Sequence, residues 1–319
     1  MTDYTPKFTK ENFEKIYKEL KMFKTEGRSM SSKQVVFIGD MHVGSALALS
    51  SPNPYVSDLD TEIKPSKVMR TFYDTWVKCI DAIGKKPHVM AMLGEPMDGD
   101  NFKQIGQQSW TTNFNDQIAD SIKLLKMWNA KTIVMVRGSG YHDHRGATNY
   151  GETVARQLGV RRYRAWAPAT AVIEKWKQKN KEPEIDNVAA LTDYFANFDV
   201  LGKVFNISHH IGYSKNEMYR TTALARELVT MKLSEDLYPK ADVVARGHVH
   251  YHVRTGFTHT QGFTCPAWKL PDAHLYRHGL GGTKPDIGMI ECIVEPNQQV
   301  LIRPHVEDLE NVKPPVLKL

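Results

Sequence analysis

QVVFIGDMH (34–42) is the stretch that decides the fold. A short apolar run stops at Gly39, and a carboxylate and an imidazole follow, two positions apart. A run this short and this apolar reads as a strand buried on both faces. Side chains alternate along a strand, so an extended exit from it would point Asp40 and His42 the same way.

The same arrangement recurs downstream. VMAML (89–93) precedes Gly94-Glu95-Pro96-Met97-Asp98-Gly99-Asp100, and TIVMV (132–136) precedes Gly138-Ser139-Gly140-Tyr141-His142-Asp143. VFNIS (204–208) runs into His209-His210, and DVVA (242–245) into Gly247-His248-Val249-His250. In open α/β sheets, sites form in the loops that leave the carboxyl ends of strands. A lone D-x-H arises by chance in many proteins. Two histidines at the end of a buried strand are costly without a partner. Five such clusters in order point to one polar site.

Helices are expected between the strands. Ser66 can cap a helix whose Met69, Phe72, Tyr73, Trp76, Ile80 and Ile83 share a face, with Gly84 as the stop. Residues 113–129 and a short stretch near Glu152–Leu158 also read as helical. Ser214 and Glu217 suggest a capping box for a helix running to about Leu233. MIECIV (289–294) and VLIR (300–303) read as a closing hairpin. Strands alternating with helices indicate an α/β core. Residues 1–32 read as a Lys-rich lead-in, with an amphipathic helix expected at Glu11–Phe23. The domain then spans 33–319, with a cap-like insertion at about 144–200.

Composition narrows the class. The chain has 319 residues, 41% hydrophobic and 24% charged, as in ordinary globular proteins. No apolar run approaches the ~20 residues of a membrane span, and the opening MTDYTPKFTK is too polar for a secretory signal. Three cysteines, Cys79, Cys265 and Cys292, suit a reducing cytoplasm better than a disulfide framework. A net charge of +6 suits an anionic substrate and equally serves solubility. Carboxylate plus imidazole ligands suit Mn, Fe, Zn or similar ions.

The ordered set D-x-H, G-E, G-x-x-x-H, H-H, G-H-x-H resembles the calcineurin-like metallophosphoesterase superfamily over roughly residues 33–255. Pro266-Ala267-Trp268 after the G-H-x-H is similar to the bacteriophage and prophage type. The resemblance implies a four-layer α/β/β/α sandwich with two divalent ions, drawn from Mn, Zn, Fe or Ni with Mn favoured. By position, Asp40, His42 and His250 would hold one ion, His209 and His248 the other, and Glu95 would bridge them. The implied reaction is phosphodiester hydrolysis by a metal-bridging hydroxide, with His142 protonating the leaving oxygen, Asp143 orienting His142 and Arg145 clamping phosphate. DNA or RNA is the candidate substrate, since GVRRYRAW (159–166) and EKWKQKNK (174–181) mix cations with aromatics. A phosphomonoesterase, a cyclic-nucleotide phosphodiesterase and a non-catalytic binding scaffold are the alternatives. Two positions depart from the family pattern. Glu95 stands where Asp is usual, and Pro96 after it is expected to hold Glu95 extended. The usual Asn ligand is absent, leaving Ser139, Tyr141, His142 or His210 as substitutes. The sequence does not give the oligomeric state.

Overall fold

Apolar runs and their polar exits become strands and loops as the sequence predicts. The computed structural model describes residues 31–101, 106–145, 148–162, 190–191, 194–234, 240–277 and 284–307. In chain order the strands are β1 (Lys33–Ile38), β2 (Tyr55–Val56), β3 (Thr61–Glu62), β4 (Val89–Met92), β5 (Thr132–Met135), β6 (His144–Arg145), β7 (Thr148–Asn149), β8 (Arg161–Arg162), β9 (Ala190–Leu191), β10 (Phe195–Val200), β11 (Lys203–Ser208), β12 (Val243–Arg246), β13 (Arg254–Gly256), β14 (Gln261–Thr264), β15 (Ile287–Val294) and β16 (Val300–Glu307). The helices are α1 (Lys67–Ile83), α2 (Phe114–Lys126), α3 (Tyr150–Gln157), α4 (Thr222–Leu233) and α5 (Ala273–Arg277). The fold is mixed α/β.

One sheet has the order β16-β15-β1-β4-β5-β9-β8, and a second β10-β11-β12-β14-β13. Strands β1, β4 and β5 are parallel, with Ile38 level with Met92 and Met92 level with Met135. In the second sheet β11 and β12 are parallel, with Ser208 level with Arg246. The polar clusters therefore leave neighbouring strands at the same height.

Period-two alternation sorts the core. Val35, Phe37, Val89, Ala91 and Val134 pack with Phe205, Ile207, Val243, Ala245 and Phe263 of the second sheet. Val36, Ile38, Met90, Met92 and Met135 join the cluster that holds Phe72, Trp76 and Ile80 of α1 and Ile118 and Leu125 of α2. Leu224 and Leu228 of α4 pack with Val244 of β12. Strands apolar on both faces are thus buried on both faces.

Helix α1 begins as expected: the Ser66 hydroxyl accepts from Met69 N at 3.1 Å, and the helix stops before Gly84. The expected capping box at Ser214 and Glu217 does not form. Ser214 Oγ instead donates to Asn216 O at 3.0 Å, Asn216 caps a short 3₁₀ turn at Glu217–Tyr219, and α4 starts at Thr222. The predicted helix Glu11–Phe23 and the Lys-rich segment 174–184 lie outside the described residues. Within the stretch read as an insertion, Val154, Ala155 and Val160 belong to the same core as α1, and β8 and β9 extend the first sheet.

Pro266-Ala267-Trp268 has a structural task. The fully buried Trp268 ring meets Trp76 at 5.1 Å and Phe72 at 6.5 Å, both edge-on, while its backbone N–H donates to Asp40 O at 2.9 Å. Trp268→Ala is expected to cost about 3–5 kcal/mol, the range for deleting a large buried aromatic. Urea unfolding measures it. A loss under about 1 kcal/mol would place the ring outside the load of the core.

Candidate metal centre

Glycine permits the first step, which is close approach of loops. A Cβ on Gly94 would lie 2.7 Å from Gly138 Cα, and one on Gly138 would lie 2.5 Å from Glu95 Cγ. Only without those atoms can the exits of β4 and β5 touch. The Glu95 carbonyl then accepts from Met41 N at 3.0 Å and His42 N at 3.1 Å, which locks the loop after β1 to the loop after β4.

The backbone at the site departs from the sequence expectation. Asp40, His42, Glu95, His248 and His250 all have positive φ, between 49° and 73°. Neither D-x-H nor H-x-H is an extended exit, and Pro96 does not hold Glu95 extended. Left-handed backbone is adopted instead at the outer positions, while Met41 and Val249 between them are buried. Each such residue costs about 1–2 kcal/mol. Strain of this kind gathers at functional sites when the surroundings enforce it.

The side chains converge. Donor atoms of Asp40, His42, Glu95 and His250 lie within 4.8 Å of one another, as do those of His209, His210 and His248. Glu95 joins the two sets. Its Oε2 is 3.1 Å from His42 Nε2, and its Oε1 is 3.2 Å from His209 Nε2. His42 Nε2 also faces His250 Nε2 at 3.3 Å, and His209 Nε2 faces His248 Nδ1 at 3.2 Å. One proton cannot serve every lone pair gathered at each focus. A cation can.

Partners behind the rings set their tautomers. His209 Nδ1 is 2.7 Å from Leu93 O, so Nδ1 carries a hydrogen and Nε2 is the nitrogen turned towards Glu95. His42 Nδ1 is held in the same way by Asp98 Oδ1 at 3.1 Å. Metal-bound histidines are oriented by such outer partners. Asp40 Oδ2 accepts from His248 N at 3.0 Å, whereas the buried Oδ1 has no hydrogen bond, although His250 Nε2 lies 3.3 Å away. An orphaned buried carboxylate oxygen beside converging imidazole nitrogens fits a divalent cation in both charge and donor type.

Electrostatics agree. Burial opposes charge on His42 and His209, but the carboxylates outweigh it, Glu95 and Asp98 for His42 and Glu95 and Asp40 for His209. The rings are pushed up to about 9 and about 10. Burial likewise works against ionised Glu95, yet His142, His209 and His42 hold it well below the usual carboxylate range. The centre draws positive charge.

The other expected residues are placed as follows. Ser139 donates both its N–H, at 3.2 Å, and its hydroxyl to Glu95 Oε1. Tyr141 OH donates to Asn101 Oδ1. His210 is exposed and stacks on His248, ring centroids 5.0 Å apart. His142 Nδ1 is 2.6 Å from Asp98 O. Asp143 is fully buried and does not reach the His142 ring; its Oδ2 accepts from Gly138 N at 2.6 Å. Burial, then Glu95, push its carboxyl up to about 7. Arg145 is exposed and lies 3.7 Å from Asp100. A cavity of about 330 Å³ is lined by His42, Glu95, His142, His248 and His250, and neither Asp143 nor Arg145 lines it. Two residues of the site escaped the sequence reading. Asp98 stands in the Gly94–Asp100 cluster without an assigned role, and Lys269, 3% exposed, lies outside all five clusters. A lone lysine inside the run CPAWKLP (265–271) was the available signal.

No family model and no curated protein matches the chain. The structure is similar to Vps29 of Entamoeba histolytica complexed with zinc, at 9% identity and a TM-score of 0.39, covering 86% of this chain and 98% of that one. It is similar to Vacuolar Protein Sorting 29 of Cryptosporidium parvum, at 9% and 0.38, covering 87% and 100%. An archaeal phosphodiesterase is similar at 13% and 0.34, covering 85% and 99%. These likenesses are distant, and function is read below from the side chains alone. Among the described residues no helix is long and apolar enough to cross a membrane.

Proposed function

We propose that the chain is a two-metal phosphoesterase of the calcineurin-like type, acting on phosphodiesters. One observation carries this reading: the two oxygens of Glu95 are divided between two histidine sets, 3.1 Å from His42 and 3.2 Å from His209. Asp40, His42 and His250 would hold one ion and His209 and His248 the other, with Glu95 between them. Divalent ions there, Mn favoured, would lower the pKa of a water and neutralise phosphoryl charge.

The chain's own residues supply the rest. Ser139 fixes one oxygen of Glu95, while Leu93 O and Asp98 aim His209 and His42. His142 lines the cavity with Nδ1 tied back to Asp98 O, so its Nε2 is the acceptor available to a reacting group. Arg145 would meet only a substrate that extends beyond the cavity, such as a DNA or RNA strand. The packed sheets and helices support an α/β/β/α layering, and three free, buried cysteines support a cytoplasmic location. Pro266-Ala267-Trp268 supports the bacteriophage type.

The test is metal analysis of purified protein together with turnover of bis-p-nitrophenyl phosphate against p-nitrophenyl phosphate. Two ions per chain and Mn-dependent turnover of the diester are expected. Absence of bound metal after reconstitution with Mn or Zn would sink the reading. Preference for the monoester would keep the centre and overturn the substrate class.

A further inference from the structure

Behind the rings of the candidate centre lies a buried ion network. Lys269 Nζ is 2.7 Å from Asp98 Oδ1 and 3.2 Å from Asp272 Oδ2. Asp98 Oδ1 is also the oxygen that holds His42 Nδ1 at 3.1 Å, and Asp98 Oδ2 accepts from Asn101 Nδ2 at 3.1 Å. The Asp98 carbonyl holds His142 Nδ1 at 2.6 Å. Two rings that face the cavity therefore hang on one aspartate, and that aspartate is clamped by one lysine.

The lysine is itself fixed by backbone. Trp268 N donates to Asp40 O at 2.9 Å and Leu270 N to Leu47 O at 2.9 Å, so the residues flanking Lys269 are hydrogen-bonded to the loop that begins at Asp40. The ammonium is buried, and an ammonium out of water is tolerated only when its donors are paired. Asp98 and Asp272 pair it. Donor atoms of His42, Asp98 and His142 also come within 4.8 Å of one another, a third group that could attract a cation. Lys269 already places a positive charge on that trio's carboxylate.

We propose that Lys269 is a positioning residue: its buried ammonium fixes Asp98, which in turn aims the Nε2 of His42 at Glu95. This rests on the two-metal reading of the centre. The claim has a sign that separates it from simple charge effects. A lysine this close repels a cation, so a purely electrostatic role predicts tighter metal binding when it is removed. A positioning role predicts weaker binding, because Asp98 is released and the His42 ring with it. Loss of an outer partner of a metal-bound histidine typically weakens affinity about 10–100-fold.

The experiment compares wild type, Lys269→Met, Lys269→Arg and Asp272→Asn by Co²⁺ titration followed through visible absorption. Nitrogen-detected NMR of the histidine rings in metal-free protein runs beside it. Lys269→Met is expected to lose about 10–100-fold in Co²⁺ affinity, and the His42 Nδ1 resonance is expected to shift as its hydrogen bond to Asp98 is lost. Lys269→Arg keeps the charge and should restore most of both. Asp272→Asn leaves Asp98 paired, so it should fall between them if Lys269→Met fails to fold. Equal or tighter Co²⁺ binding in Lys269→Met, or an unchanged His42 Nδ1 resonance in both Lys269→Met and Asp272→Asn, overturns the proposal. Failure of wild type to bind Co²⁺ refutes the two-metal reading instead. The Nδ1 comparison still judges Lys269 in that case.

Discussion

Glu95→Gln is expected to weaken binding of at least one metal ion by more than about 100-fold, beyond the usual loss for an outer partner, with the fold intact. The geometry says which ion suffers more. The Glu95 oxygen near His209 is held by the Ser139 hydroxyl and N–H. A glutamine would keep its carbonyl there, because only that end can accept both donors. Its NH₂ group would then take the place of Oε2, 3.1 Å from His42 Nε2 and on the side of His250. An amide N–H offers a cation no lone pair, so the ion expected at Asp40, His42 and His250 should be lost. The His209–His248 ion keeps a neutral oxygen and should be weakened less. Metal titration of the variant resolves two unequal losses. Equal stoichiometry and affinity in Glu95→Gln would show that Glu95 is not the bridge. Glu95→Asp should retain partial activity, since it keeps the charge but is shorter by one methylene and cannot reach both sets equally from the same backbone.

What the sequence reveals follows from what each element buries. Strands β1, β4, β5, β11 and β12 are legible because both faces are buried, so their apolar runs are nearly continuous. Strand β10 is not, since FANFDV alternates with exposed positions, nor are β13, a three-residue edge strand, and β14, four residues long between β12 and β13. Helix α4 exists where expected but starts late. Asn216 competes with Ser214 for the chain, and side chains of this kind bond equally well to turns. At the site, residue types in order name the donors, because burying so many polar groups requires a common partner. The left-handed backbone at Asp40, His42, Glu95, His248 and His250 is not legible, since none of these is glycine. It arises from contacts such as the Glu95 carbonyl taking two N–H donors from the loop after β1. The clamp of Lys269 on Asp98 joins positions 171 residues apart, and no local pattern could announce it. The substrate argument from basic and aromatic residues at 159–166 meets the structure only at its start. Val160 is buried in the core, Arg161 and Arg162 form β8, and the rest lies outside the described residues.

His142→Ala should lower kcat by roughly 10²–10⁴-fold, the contribution of a positioned proton-transfer group, and should scarcely change stability. The ring lines the cavity, and its one hydrogen bond, to Asp98 O at 2.6 Å, supports about 0.5–1.5 kcal/mol of folding at most. That same bond decides which way a proton can move. Nδ1 carries the hydrogen, so in the neutral ring Nε2 is a bare acceptor. Burial is the main force that pushes the ring down to about 4, and His42 and Lys269 add to it. At neutral pH the free protein therefore presents an acceptor, where the sequence reading expected a donor to the leaving oxygen. The two roles separate on leaving groups. A donor matters most when the departing oxygen is a poor leaving group, such as an alkoxide, and little when it is p-nitrophenolate. An acceptor that orients or deprotonates the attacking water matters equally for both. The expected result is an equal loss of kcat in His142→Ala on bis-p-nitrophenyl phosphate and on a dinucleotide diester. A loss at least tenfold greater on the dinucleotide would restore the donor role. Full activity with a collapsed melting temperature would make His142 a structural residue, tied to Asp98 for the sake of the loop.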